Sequence, residues 1–136
     1  MKNMKTIIFD SSIWIASLLK EDIFNAEAKR MIARYLKKSF SVIIPQPVLV
    51  EVINVVLRQK LEYKEVLDFI KNITTTRNIN LVYLNNDVVL EKLPSLSQRL
   101  FIKSQDILII LYCEHFKPSQ FETFDLKQRN CYNSIN

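Results

Sequence analysis

The sequence contains no glycine. Average usage of about 7% would put roughly ten glycines in a chain of this length. The P-loop and the GxGxxG dinucleotide fingerprint both need glycine so that the backbone can approach phosphate, and both are therefore excluded. We then expect asparagine to take the positive φ angles of left-handed turns and helix C-caps. We expect them at the asparagines that lie between periodic segments: Asn78, Asn80, Asn85, Asn86, Asn130 and Asn133.

Cysteine, histidine and long apolar runs are also scarce. The two cysteines, Cys113 and Cys131, have no metal-type CxxC spacing and are too few for a secreted disulfide framework, which favours a reducing compartment. The one histidine, His115, lies at the end of a predicted helix and fits a dipole partner better than a general base. The longest apolar run, 107–113, is too short to cross a bilayer, and the first residues lack a signal-peptide core. We expect a cytoplasmic protein without a membrane segment.

What is present is an ordinary globular composition. The 136 residues are 49% hydrophobic and 24% charged, which excludes a disordered chain. This length suits one domain, and no linker or repeat divides it, so we predict a single domain over 1–136. The net charge of +5 favours a polyanionic partner.

Short β-branched runs alternate with helical periodicity along the chain. Four strands are predicted: Lys5–Phe9, Ser41–Ile44, Leu81–Leu84 and Phe121–Phe124. Helices are predicted between them: Ser11–Leu18, Phe24–Lys38, Val48–Lys60, Tyr63–Ile73, Asp87–Leu93 with an interruption at Pro94 and a resumption over Ser97–Lys103, and Gln105–His115. This alternation implies parallel pairing with right-handed crossovers. The predicted fold is α/β, a three-layer sandwich around a mostly parallel sheet.

Four carboxylates stand at notable positions. Asp10 and Asp125 follow the first and fourth strands, Asp106 opens the most apolar helix, and Glu51 is the only charge between residues 41 and 57. Each one alone has a simpler explanation. Asp106 could complement a helix dipole, and Asp10 and Asp125 could initiate turns. Glu51 could belong to a solvated stripe with Asn54 and Arg58, which follow at i+3 and i+7.

The combination is harder to explain structurally. Ligands of open parallel sheets bind at the carboxyl ends of the strands, where these acids would meet. At about 5 Å and an effective dielectric of about 20, each like-charged pair costs on the order of 3 kcal/mol. A divalent cation offsets that cost, and oxygen ligands without His or Cys select Mg²⁺ or Mn²⁺. Such a site beside a basic surface indicates metal-assisted phosphodiester hydrolysis.

The four segments that hold these acids also resemble the successive acidic motifs of the PIN domain family. They are Ile7-Ile8-Phe9-Asp10-Ser11-Ser12, Val48-Leu49-Val50-Glu51, Ser104-Gln105-Asp106-Ile107-Leu108-Ile109 and Thr123-Phe124-Asp125. Each motif alone is common, but the four occur in order, with the acids 41, 55 and 19 residues apart. Length and coverage are similar to the small VapC-type toxins of toxin–antitoxin pairs.

The resemblance implies roles for individual residues. Asp10, Glu51, Asp106 and Asp125 would form the metal-binding catalytic pocket, with Asp10 and Asp106 as the most direct ligands. Ser12 and Thr123 match the family's small hydroxyl positions and would orient carboxylates or water, and we place Asn54 with them as a supporting residue. The family's sheet order is 3-2-1-4-5. The fifth strand is in doubt, because residues 126–136 are short and polar where relatives usually continue.

The implied activity is a Mg²⁺- or Mn²⁺-dependent endoribonuclease that hydrolyses RNA in one step, without a covalent nucleophile. The implied partners are RNA, a second copy of the chain in a homodimer, and an antitoxin. The antitoxin would fill an apolar groove near the early helices, for which the candidates are Trp14, Leu18, Leu19 and Phe24, although core packing explains each of them as well.

Several basic residues could contact RNA, but solvation or structural ion pairs explain their positions as well. The helix 24–38 carries a basic face that is either solvated or in contact with phosphates: Lys29, Arg30, Arg34, Lys37 and Lys38. Arg99 and Lys103 lie nearer Asp106, where substrate contact and a structural ion pair are both open.

Two other functions compete with a toxin. The first is a PIN-like RNA-processing or RNA-binding module outside a toxin–antitoxin pair, which differs by having no small antitoxin-like reading frame beside its gene. The second is another doubly wound protein such as a phosphotransfer domain. That domain needs a second acid beside Asp10 and an acceptor aspartate after the central strand. Residue 11 is serine and the third strand ends in Leu84-Asn85-Asn86, so this class is disfavoured.

Overall fold

The computed structural model describes residues 4–136 of the chain. Its elements follow in the order β1 (Thr6–Phe9), α1 (Ser11–Leu18), α2 (Asn25–Lys37), β2 (Ser41–Pro45), α3 (Gln46–Arg58), α4 (Tyr63–Thr75), β3 (Ile79–Val82), α5 (Asn86–Leu100), α6 (Ser104–Phe116), β4 (Gln120–Glu122) and α7 (Leu126–Ile135).

The strands form one parallel sheet in the order β3-β2-β1-β4. β1 lies in the centre, where Ile7 pairs with Val42 of β2 on one side and with Gln120 of β4 on the other. The apolar side chains of β1 are completely buried, as expected for a parallel strand covered on both faces. The predicted α/β fold, a parallel sheet flanked by helices, is confirmed.

The chain after β4 differs from the five-stranded order that the resemblance implied. Within residues 4–136 the sheet ends at β4, and α7 occupies the segment where a fifth strand was in doubt. Asp125 begins this helix by accepting hydrogen bonds from the backbone N–H groups of Lys127 and Gln128. Tyr132 of α7 packs on Phe121 of β4 with ring centroids 5.0 Å apart. A helix therefore covers the last strand.

Two apolar clusters hold the helices in place. The larger joins β1 and β2 to α1–α4 and includes Ile109 and Cys113 of α6. The smaller lies between α5 and α6 around Leu96 and Leu111. It explains why α5 runs unbroken through Pro94, where the sequence predicted an interruption. Proline removes one backbone hydrogen bond, but both halves of the helix pack on the same cluster.

The predicted positions of left-handed residues were wrong. Positive φ angles occur at Ser39, Lys60, Phe101 and Lys117, and none of the described residues with positive φ is an asparagine. Each of the four follows the last turn of a helix. Phe101 and Lys117 are the C-caps of α5 and α6, and their N–H groups bond to the carbonyls four residues earlier. The geometry of the helix end, rather than residue preference, decides where the chain turns left-handed.

Smaller differences concern boundaries. β3 lies two residues before the predicted strand, and α6 begins at Ser104, one residue before the predicted helix. Asn85, one of the expected turn residues, instead caps α5 through its side chain. Over residues 4–136, no helix has both the length and the apolar character needed to cross a membrane.

Candidate functional site

The candidate site lies at the edge of the sheet where the parallel strands end. β1 ends at Phe9 and leads directly into Asp10, β4 ends at Glu122 beside Thr123, and β2 passes into α3 without a loop. The backbone N–H of Asp10 donates to the carbonyl of Glu122 at 2.9 Å, which fixes the two strand ends side by side. This edge is the usual ligand-binding position of an open parallel sheet.

Asp10 is the most buried acid of this edge, with 5% of its surface exposed. It is the N-cap of α1, and its Oδ1 accepts from the backbone N–H of Ser11 at 2.8 Å. Its Oδ2 accepts from Thr123 Oγ1 at 2.7 Å and from Ser12 Oγ at 3.3 Å. The carboxyl group is thus held in one orientation by donors from both adjoining strand ends.

Burial raises the pKa of Asp10 above its ordinary value. The hydrogen bonds from Thr123, Ser11 and Ser12 lower that pKa, and the Glu51 carboxylate raises it further. The effect of burial prevails over the hydrogen bonds. A buried carboxyl group in the field of a second carboxylate is an environment that a bound cation stabilises.

Ser12 and Thr123, the predicted orienting hydroxyls, both contact Asp10. Their own oxygens lie 3.3 Å apart. Each hydroxyl also accepts a backbone N–H: that of Phe124 at 3.1 Å for Ser12, and that of Asp125 at 3.0 Å for Thr123. The pair therefore connects the Asp10 carboxylate to the segment that leads into α7.

Glu51 and Asn54 line an open cleft between α3 and α6, which we call the α3–α6 cleft. Its volume is about 330 Å³. Its polar residues are Gln46, Glu51, Asn54, Arg58 and Gln105. Its apolar walls are formed by Pro47, Val50, Val55, Leu108 and Ile109. Glu51 is half-buried and Asn54 is exposed. Glu51 thus lines the cleft and also acts on Asp10 through its charge.

Asp106 lies in the first turn of α6, and Asp125 is the N-cap of α7. Asp106 is half-buried near the start of α6. Asp125 is exposed, and its Oδ1 accepts from the backbone N–H groups of Lys127 at 2.9 Å and Gln128 at 3.3 Å. Its carboxylate therefore caps α7, and any contact with a metal would be additional to this capping.

No three side chains of histidine, cysteine, aspartate or glutamate come together as a metal-binding group anywhere in residues 4–136. The predicted acids are associated in pairs instead. The charge of Glu51 acts on Asp10, and Gln128 forms hydrogen bonds with both Asp106 and Asp125. Carboxylate and hydroxyl oxygens, the ligand types present at this edge, are those that a hard divalent cation prefers.

Gln128 was not predicted from the sequence. It is 2% exposed, and its Nε2 donates to the backbone carbonyl of Asp106 at 3.2 Å. Because its own N–H binds the Asp125 carboxylate, it ties the first turn of α6 to the first turn of α7. The sequence carried a usable signal, since Asp125-x-x-Gln128 has the spacing of a capping box.

Glu122 was also missed. Its Oε1 accepts from the Tyr35 hydroxyl at 3.5 Å and lies 3.9 Å from the Arg129 guanidinium. Burial, and next the charge of Glu122, raise the pKa of Tyr35. This small network connects α2 and α7 across the end of β4, directly beside Asp10.

The remaining polar candidates lie outside this centre. Arg99 forms an exposed ion pair with Glu114 at 3.3 Å, so the structural alternative for Arg99 is the one observed. Lys103 is exposed just before α6. His115 lies in the last turn of α6. Its ring is perpendicular to that of Phe116, with the ring centroids 4.9 Å apart.

Comparisons with known proteins agree with this architecture. A family model described as "PIN domain" matches residues 7–133. Among solved structures, the chain is similar to Mycobacterium tuberculosis VapC20, described as a sarcin-ricin loop cleaving toxin. The TM-score is 0.72 at 17% sequence identity, over 92% of this chain and 94% of that one. No curated protein matches the sequence.

Proposed function

This chain belongs to the PIN domain family of nucleases, and from that membership we propose that it is a Mg²⁺- or Mn²⁺-dependent endoribonuclease. One observation carries the proposal. Asp10 is buried at the carboxyl end of the central strand and held by hydroxyl and N–H donors, and its pKa is raised first by burial and further by the Glu51 carboxylate. A purely structural N-cap does not need a second carboxylate nearby, whereas a cation site does.

We assign the cation to Asp10, Glu51, Asp106 and Asp125. When bound, the cation would supply a water of lowered pKa and offset charge on the phosphate oxygens. Thr123 and Ser12 hold the Asp10 carboxylate in a fixed orientation, which keeps its oxygens directed at one position. Gln128 holds the first turn of α6, and with it Asp106, against α7.

The test is RNA cleavage by the purified full chain with MgCl₂ or MnCl₂, and with EDTA instead. We expect metal-dependent cleavage by the wild type, no cleavage by Asp10→Asn, and full cleavage by the control Asp68→Asn. Asp68 is an exposed acid on α4. RNA that is bound but stays intact in either metal would contradict the proposal and favour the alternative, an RNA-binding module.

We further propose the role of toxin in a toxin–antitoxin pair, acting on cytoplasmic RNA as a homodimer. The four predicted groove residues do not share one groove. Leu18 and Leu19 line a cleft of about 770 Å³ beside the α3–α4 turn. Trp14 lines a separate apolar groove of about 310 Å³ between α2 and α4. Phe24 is 40% exposed and stacks on Phe124 at 4.5 Å.

The groove at Trp14 is the better candidate for an antitoxin segment. Trp14 is 4% exposed, and within residues 4–136 its indole N–H has no hydrogen-bond partner. An unpaired buried donor costs about 1–3 kcal/mol, and a partner that shifts the groove enough to reach this N–H with a carbonyl would recover that cost. Toxicity on expression, relieved by co-expression of a small adjacent reading frame, is the expected result. Light scattering at twice 16.1 kDa would support the homodimer.

The basic face of α2 would add non-specific RNA affinity. All five of its basic residues are exposed: Lys29, Arg30, Arg34, Lys37 and Lys38. Arg34 also lies over the Tyr35 ring, 5.4 Å from its centroid. If this face contacts phosphates, affinity should fall steeply with salt and without regard to base sequence.

A further inference from the structure

The α3–α6 cleft shares Glu51 with the proposed active site and extends from it between α3 and α6. Glu51 borders the cleft, and its charge acts on Asp10, so a group bound in the cleft lies beside the acids. The remaining polar residues of the cleft have no role in the mechanism proposed above, apart from the supporting role predicted for Asn54. Their function has to be sought in something else that binds there.

Three exposed carboxamides line this cleft from two helices. Gln46 and Asn54 belong to α3, and Gln105 belongs to the first turn of α6. Within the described part of the chain, none of the three side chains forms a hydrogen bond with another protein group. A carboxamide offers two N–H donors and one carbonyl acceptor. The cleft therefore presents unused donors and acceptors together.

The rest of the cleft narrows the choice of ligand. Its walls include Val50, Leu108 and Ile109, which suit a flat apolar face. Glu51 and Arg58 contribute opposite charges, so the cleft as a whole favours a neutral group over an additional phosphate. A volume of about 330 Å³ is at the small end of ligand sites, which span roughly 300–1,000 Å³.

A nucleobase fits these requirements, because it is planar and neutral and has hydrogen-bonding edges. Proteins read single-stranded RNA by splaying bases out, packing their faces and hydrogen-bonding their edges, and Asn and Gln are suited to base edges. We propose that the α3–α6 cleft binds one base of the RNA substrate next to the scissile phosphate, and that Gln105, Gln46 and Asn54 determine which base is accepted. This inference rests on the proposed ribonuclease function.

Binding without cleavage tests the cleft directly. The probes are the four homotetraribonucleotides of A, C, G and U, each titrated by fluorescence anisotropy against the full chain in EDTA. We expect one base to bind on the order of tenfold more tightly than the weakest, the size of one well-made carboxamide–base contact. Gln105→Leu should abolish this preference. Gln98→Leu, the same change at an exposed position on α5, should retain it.

A second variant guards against misfolding of the first. Gln46→Leu changes the opposite wall of the cleft and should also reduce the preference. Equal binding of all four probes, no binding of any, or an unchanged preference in both variants would refute the base site. Mapping of cut sites by sequencing RNA 5′ ends should show the same base beside the cleavage point in wild type and Gln98→Leu, and no preferred base in Gln105→Leu.

The two proposals fail separately. A base preference in EDTA without any metal-dependent cleavage would retain the base site and refute the ribonuclease. Cleavage by the wild type at sites with no common base, together with uniform binding of the four probes, would retain the ribonuclease and refute the base site.

Discussion

Replacing Asp10 by asparagine should separate the catalytic need for its charge from its structural role. Asparagine caps helices about as well as aspartate, so α1 keeps its N-cap. The amide oxygen can accept from Ser11, and the new N–H group can donate to the hydroxyls of Thr123 and Ser12, each of which has an acceptor lone pair to spare. The shape of the site and the helix cap therefore survive the change, although the O–H groups of Thr123 and Ser12 lose Oδ2 as their acceptor.

The sign of the stability change follows from the raised pKa of Asp10. Relative to the unfolded chain, the charged carboxylate costs stability at pH values above the raised pKa, by about 1.4 kcal/mol per pKa unit. The cost fades as the pH falls and is absent below the ordinary value of 3.8. Asp10→Asn removes it, so at pH 7 in EDTA this variant should be more stable than the wild type.

Asp10→Ala should have the opposite effect. It loses the N-cap, worth about 1 kcal/mol, and leaves partners of a buried acceptor unsatisfied, at about 1–3 kcal/mol. These two terms cost roughly 2–4 kcal/mol, which the removal of the buried charge offsets only in part. Magnesium should reverse the order of wild type and Asp10→Asn, because a ligand at 100 times its Kd stabilises the chain that binds it by about 2.7 kcal/mol.

The assay is urea unfolding monitored by Trp14, which is the only tryptophan and packs 5.5 Å from Phe9. Each variant is measured with EDTA and with Mg²⁺, and Asp68→Asn serves as the control. If Asp10→Asn were as unstable as Asp10→Ala in EDTA, or if Mg²⁺ stabilised wild type and Asp10→Asn equally, the reasoning on Asp10 would be wrong.

Three further outcomes are expected. Gln128→Leu should raise the Mg²⁺ concentration for half-maximal cleavage on the order of tenfold. Gln128→Glu keeps an oxygen but loses the donor to the Asp106 carbonyl, so it should show the same raised requirement. An unchanged Mg²⁺ requirement in both variants would contradict the role of Gln128 in positioning Asp106. Asp106→Asn should abolish cleavage but change the free energy of unfolding by less than about 1 kcal/mol, because Asp106 is an acid in the first turn of a helix. The control Asp87→Asn, in the first turn of α5, should cost similar stability and keep full cleavage. In native protein, maleimide should label Cys131 well before Cys113, because burial raises the pKa of the Cys113 thiol; equal labelling rates would show that Cys113 is accessible.

Local sequence patterns were sufficient for the elements whose apolar spacing is strong. β1 and α2 lie within a residue of their predicted bounds, because one is a run of buried β-branched side chains and the other a clear amphipathic repeat. α7 was missed because residues 126–136 are mostly polar, and its stability comes from Asp125 and from contacts of Tyr132 with β4 that no local window contains.

The site was predictable only in part for the same reason. The position of Asp10 after the first strand predicted its place at the carboxyl end of the sheet, and Ser12 and Thr123 were found through the family resemblance. Gln128 could not be connected with Asp106 from sequence, because 22 residues separate them and their contact depends on how α7 packs against α6. The predicted meeting of all four acids stays a prediction, since long-range packing decides it.

A chain without glycine unfolds into a stiffer ensemble. Each glycine replaced by a residue with a side chain, where the native conformation permits, favours the folded state by about 0.4–1 kcal/mol, so roughly ten missing glycines contribute about 4–10 kcal/mol. The four left-handed residues that end α2, α3, α5 and α6 oppose this by about 1–2 kcal/mol each. The two effects are of similar size. The stability gained from a less flexible unfolded chain is therefore largely offset by backbone strain at four helix ends. A single glycine would relieve most strain at Ser39, Lys60, Phe101 or Lys117.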